Sequence, residues 1–167
     1  GRSIIAESFV DDVLDVLGRE DVRPEHIGIE ITETAFMSNM AEASRAIAAL
    51  SEQGIKIYLD DFGTGYSSLY YLHTLPIASL KIDKSFIDGI NAPENASNEL
   101  VKTVLTLASG LGMATVAEGV ETREQAEFLA ENGCKVIQGY LFSPAISGSN
   151  FAEYLKESQA RIAAALA

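Results

Sequence analysis

Apolar residues along this chain alternate between two rhythms. Five short runs, Ile27–Ile31, Ile55–Leu59, Ser79–Ile82, Ala114–Ala117 and Lys135–Ile137, read as strands. Longer stretches, with apolar positions every three or four residues, separate them. Ala41–Gln53 puts Ala43, Ala46, Ile47 and Leu50 on one stripe, and Gly54 follows as a stop. Glu99–Leu111 repeats the arrangement, with Leu100, Val104, Leu107 and Leu111 expected inward and Gly112 after them. Thr122 followed by Gln125 has the form of a capping box for a helix that stops at Gly133. Asn150 with Glu153 opens a last helix that runs into an alanine-rich tail, and Ala6–Arg19 forms one before the first strand. A short helix is expected between Ser68 and Leu75, ahead of Pro76.

Strand starts recur about every 20 to 35 residues, the repeat of βα units wound right-handed onto a parallel sheet. The fold class is therefore α/β. A closed (β/α)8 barrel takes roughly 250 residues, so five units correspond to an incomplete TIM-like barrel, with an open doubly wound sheet as the structural alternative. Residues 1–167 read as one unit, of which 150–167 are the final helix and tail.

The polar residues then fall into place. Glu30 ends the first apolar run, Asp60 and Asp61 the second, and Glu118 and Gln138 the fourth and fifth. Lys81 sits in the third, with Asp83 two residues on. Strand C-termini are where α/β folds build their sites, so polar residues at the ends of five consecutive strands point to one shared pocket. Converging carboxylates repel one another unless a hard cation neutralises them, which suits magnesium, manganese or calcium. An adjacent Asp60–Asp61 pair can serve two ions about 3.5–4 Å apart, the clamp used for in-line displacement at phosphorus. Lys81 would orient water or offset charge on phosphate oxygens, and Glu118 would accept a proton. The following Gly63-Thr64-Gly65 stretch permits a loop that closes on a ligand. It lacks the lysine and hydroxyl of a phosphate-binding P-loop and the third glycine of a dinucleotide fingerprint.

Charge and composition narrow the partners. A formal charge of -12 repels nucleic-acid backbones, so DNA and RNA are excluded as general partners. Cys134 is the only cysteine, which excludes an internal disulfide framework and a cysteine zinc site, and it reads as a small buried hydrophobe. Charge interrupts every apolar run well short of a membrane span, so no membrane insertion by this segment is expected. A cytoplasmic location is expected, with any membrane anchor left to a parent chain. Against the functional reading stand plainer ones. Glu7, Asp11, Asp12, Glu127 and Glu131 are solvated charges, His26 and His73 are surface residues, and Lys81 would pair with Asp83. Tyr70 and Tyr71 would serve packing or a subunit contact as readily as a substrate.

Five segments, EITET, LDDFGTGYSSL, LKIDKSFI, VAEGVET and QGYLFS, in that order and spacing, strongly resemble the EAL-domain family. The resemblance runs from about Phe9 to about Phe151. It implies bacterial phosphodiesterases that hydrolyse cyclic di-GMP to linear pGpG on a (β/α)8 barrel, using two Mg2+ or Mn2+ ions. Position by position, it implies that Glu30 and Asp60 bind the first metal, and that Asp60 bridges to a second ion that Asp61 also ligates. Lys81 and Glu118 would handle the nucleophilic water, with Glu118 as general base, and Gln138 would hold a metal-bound water. Glu33 would anchor the loop carrying Gly63, Thr64 and Gly65, and Glu121 matches the second acid of AEGVE.

The Glu-Ala-Leu segment that names the family, and the asparagine ligand of its third strand, do not occur here. The chain thus resembles strands four to eight of the barrel. An unclosed barrel exposes two sheet edges and an apolar interior, so the expectation is strands shared with another copy, an open rearranged sheet, or a piece cut from a longer chain. Weak or no hydrolysis by this segment alone is expected, and a homodimer is favoured. Two alternatives stand beside the enzyme: a non-catalytic cyclic di-GMP-binding module, and a dimerisation element built on the helix near Ser68–Leu75.

Overall fold

The computed structural model describes residue 4 and residues 8–63, 69–91 and 96–165 of the chain. Five strands, β1 (Gly28–Thr32), β2 (Lys56–Phe62), β3 (Ser79–Ile82), β4 (Ala114–Glu118) and β5 (Val136–Gln138), form one sheet in that order. Every neighbouring pair is parallel. Sequential order is that of a barrel wall. A doubly wound sheet would reverse strand order midway and cover both faces with helices. The sheet stays open, with β1 and β5 as its edges, as a partial (β/α)8 barrel does.

Around it run α1 (Phe9–Arg19), α2 (Glu33–Ser38), α3 (Met40–Glu52), α4 (Leu69–Thr74), α5 (Lys84–Asp88), α6 (Ala96–Gly110), α7 (Arg123–Glu131) and α8 (Gly148–Ala165). Strand residues alternate between two faces. The helix-covered face carries Ile31, Ile57, Leu59, Leu80, Ile82 and Ala117, all buried against Ala43, Ile47, Leu50, Val101, Leu105 and Leu129. Burying each large aliphatic side chain contributes about 1.5–3 kcal/mol, so this face holds the fold together. Cys134 belongs to the same core.

Local signals explain the boundaries. The capping box at α7 forms as expected: Gln125 N donates to Thr122 Oγ1 (3.2 Å) while Gln125 Oε1 accepts from Thr122 N (3.0 Å). Gly54, Gly112 and Gly133 follow α3, α6 and α7 at positive φ. One expectation fails on α6. Leu100 faces solvent at 42% exposure, and Val101, Val104, Leu105 and Ala108 form the buried stripe instead. The helix starts at Ala96 rather than Glu99 and packs against α5, β3 and β4, and that packing selects the buried stripe.

Candidate functional site

On the opposite face of the sheet, Glu30, Asp60, Lys81, Glu118 and Gln138 all point inward near the C-terminal strand ends. Register brings them together: Thr32 lies beside Asp60, Lys81 beside Val116, and Glu118 beside Gln138. Lys81 is the centre. Its side chain is 8% exposed, and Nζ donates to Glu118 Oε1 (2.7 Å), Glu30 Oε2 (2.8 Å) and Asp60 Oδ1 (3.1 Å). Burial alone would pull its pKa down, but the hydrogen bonds it donates to Glu118, Glu30 and Asp60 outweigh this and hold the ammonium above its ordinary value. The plainer pairing of Lys81 with Asp83 gives way to this cluster. Asp83 instead caps α5, accepting from Ser85 N (3.0 Å), and the Ser85 hydroxyl holds its carboxyl below the ordinary value.

Two adjacent residues in a regular strand face opposite sides, so Asp60 and Asp61 cannot both serve one site without a break. The break is present. The β2–β3 register shifts between Leu59 and Phe62, and Asp61 takes a left-handed backbone, φ 55°. With this bulge, Asp61 stands within electrostatic reach of Asp60, Asp83 and Lys81. Burial first, then Asp60 and Asp83, push its carboxyl pKa up, against the pull of Lys81. The pair thus carries surplus negative charge.

Glu33, the first residue of α2, is 1% exposed. Thr32 caps that helix through Ala35 N (3.2 Å), and Glu33 Oε2 accepts from Gly63 N (3.2 Å), tying α2 to the turn after Asp61. Its Oε1 is buried without a hydrogen-bond partner among the described residues. Gly63 has φ 99°, and a Cβ there would lie 3.0 Å from the Phe86 ring of α5. Thr64, Gly65 and the side chain of Tyr70 lie outside the described residues. Tyr71 meets Phe36 edge to face, with ring centroids 5.8 Å apart, as a packing residue does. His26 and His73 are exposed.

Glu121 stands apart from the Lys81 cluster and pairs with Lys84, which also reaches Asp88 (3.2 Å). Lys84 escaped the sequence reading; its only signal was a second lysine three residues after Lys81. Gly139 also escaped it. A Cβ there would meet the Val120 backbone, so glycine lets the chain after Gln138 close on the end of β4, where Val120 N donates to Gln138 O (3.1 Å).

Do these residues suit a metal? The carboxylate oxygens are hard donors, and three carboxylates share one ammonium with Asp61 beside Asp60, so a divalent cation fits by donor type and charge. As arranged, the oxygens close on Lys81. Among the described residues no group of three acidic, histidine or cysteine side chains already frames an ion.

The chain as a whole has known relatives. The EAL domain family matches residues 1–145. The "Cyclic di-GMP phosphodiesterase NbdA" of Pseudomonas aeruginosa is 40% identical over 149 residues, covering 89% of this chain and 19% of its own length. Among solved structures, the "PaMucR Phosphodiesterase, c-di-GMP complex" superposes with a TM-score of 0.84 at 37% identity, over 88% of this chain and 60% of that one. The BlrP1 manganese and cyclic di-GMP complex of Klebsiella pneumoniae gives 0.75 at 32% identity, over 83% of this chain and 35% of that one. The chain thus spans about a fifth of its curated relative and three-fifths of PaMucR. On the strength of that match and these likenesses, the chain belongs to the EAL domain family.

Proposed function

We propose that this chain carries the strand-end half of a cyclic di-GMP phosphodiesterase site, one that yields linear pGpG. The observation that carries the reading is the convergence of Glu30, Asp60 and Glu118 on one buried ammonium. Glu30, Asp60 and Asp61 would hold Mg2+ or Mn2+, a choice supported by the manganese complex of a relative. Such ions polarise the phosphodiester and acidify water. Glu118 accepts the proton of the attacking water, and Lys81 donates to a phosphate oxygen as charge develops. Gln138, the strand neighbour of Glu118, would hold a metal-bound water. Glu33 and Gly63 hold the turn that, with Thr64 and Gly65, closes over the ligand, and Glu121 borders it. Residues 1–167 act as one portion of the catalytic domain, paired as a homodimer or strand-sharing oligomer, in the cytoplasm. By itself this portion hydrolyses cyclic di-GMP weakly.

The test is calorimetric titration of cyclic di-GMP into the chain with and without Mn2+. Heat that requires Mn2+ and disappears in Asp60→Asn supports the reading; no heat in either condition sinks it. A second reading, a non-catalytic cyclic di-GMP-binding module, is favoured by one observation. Lys81 already bonds three of the carboxylates and offsets part of their charge, so a ligand held through it would not need a cation. Equal heat in EDTA and in Mn2+, without pGpG formation, would select it.

Among the described residues no helix is long and apolar enough to cross a membrane.

A further inference from the structure

Glu118 ends β4, and the three residues after it, Gly119 to Glu121, turn the chain towards α7. This turn adjoins Glu118, and it does not rest on β4 alone. Gly119 has φ 70°, and a Cβ there would lie 2.7 Å from Lys84 Cδ and closer still to Cγ. The stem of Lys84 therefore lies flat on the turn. At its end, Nζ pairs with Glu121 and Asp88, so one side chain packs on the start of the turn and grips its last residue. Gln125 repeats the contact from below: Nε2 donates to Ile87 O (3.1 Å), and Oε1 accepts from Glu121 N (2.8 Å). α5, which carries Lys84, follows β3, which carries Lys81.

We propose that Lys84 is a positioning residue, clamping the Gly119–Glu121 turn so that Glu118 meets Lys81 at hydrogen-bond distance. An exposed ion pair by itself is worth little, and Lys84 and Glu121 are each nearly half exposed. The clamp works because the pair is combined with a stem packed on a glycine in a left-handed conformation. Glycine is required twice at position 119, by its φ and by the lysine above it. The value of placing Glu118 rests on the phosphodiesterase reading, but the clamp itself does not.

The experiment therefore uses neither substrate nor metal. Lys81 is buried and donates to three carboxylates, so its ammonium protons exchange slowly enough to be followed by proton–nitrogen NMR on the 15N-labelled chain. Glu118→Gln removes one partner and calibrates the resulting shift. In Lys84→Ala the Lys81 signal is expected to move towards the Glu118→Gln position or broaden away, while dispersed backbone amides show the fold intact. Lys84→Arg, which keeps stem and charge, is expected to hold the wild-type position. An unchanged Lys81 signal in Lys84→Ala overturns the proposal, as does a Lys84→Arg spectrum that matches Lys84→Ala. If Lys84→Ala does not fold, Glu121→Gln, which keeps the shape and loosens the grip, decides the matter. A Lys81 signal unmoved in that variant also overturns it. Because no ligand is present, failure here and failure of the phosphodiesterase reading are seen separately.

Discussion

The two faces of the sheet differ in almost everything but their backbone. The helix-covered face presents Ile57, Leu59, Leu80, Ile82 and Ala117, none more than 4% exposed. The other presents Lys56, Tyr58, Lys81, Val116, Glu118, Val136 and Gln138, and Val136 is 50% exposed. One face holds the chain together; the other holds charges in register. Stability and chemistry are thus carried by alternate residues of the same strands, and most substitutions on one face should leave the other alone. Lys81 is the exception, since it is buried and also serves the site.

The largest effect should come from the covered face. Leu80→Ala, at a fully buried position, should cost about 3 kcal/mol in urea unfolding, because the helices cannot collapse into the space. If it costs no more than a surface change, the division between faces is wrong. Lys81→Met should come next, at about 2 kcal/mol, since it leaves three carboxylates facing each other without their shared donor. Added Mn2+ should recover part of that loss, and a recovery indistinguishable from that of wild type would count against an ion site on these oxygens.

Asp61→Asn should act in the opposite direction. The folded-state pKa of Asp61 is raised, so the folded chain binds its proton more tightly than the unfolded one. Wild-type stability therefore falls as pH rises from the ordinary aspartate range through the raised value. Asparagine has no proton to lose and tolerates the left-handed backbone at 61. Without metal, the variant should be modestly more stable at neutral pH, and the gain should vanish as pH falls below the ordinary aspartate range. Thermal melts at pH 7 and pH 3 would show it; an equal difference at both would remove the charge explanation. Smallest of all, Val136→Thr should stay within about 0.5 kcal/mol, since half its surface is already in water.

How much of this was legible beforehand follows from what each feature depends on. The strands were readable because one buried face selects isoleucine, leucine and valine, and α7 because its cap lies within four residues of sequence. The five inward residues were readable as strand ends. Their shared partner was not, since the meeting of Glu30 with Lys81 depends on register across three strands. α2 and α5 were missed because six and five residues show no period, and neither is marked by a following proline as the equally short α4 is by Pro76. Leu100 misled because two overlapping stripes on α6 are both apolar, and only packing chooses between them. The bulge at Asp61 leaves no trace in composition. The family resemblance implies a role for Asp61, and the backbone break beside Asp60 is visible only in the fold.

The strand order has a consequence for how the chain assembles. Each strand pairs only with its nearest neighbours in sequence, so no pairing waits for a distant segment to arrive. Every closure spans one helix-bearing crossover, which keeps the loop-entropy cost similar at each step. A nascent chain can therefore add β2 to β1, then β3 to β2, each new unit docking on the edge left by the last. In chain order, the Lys81 cluster is complete only when β4 delivers Glu118, after β1, β2 and β3.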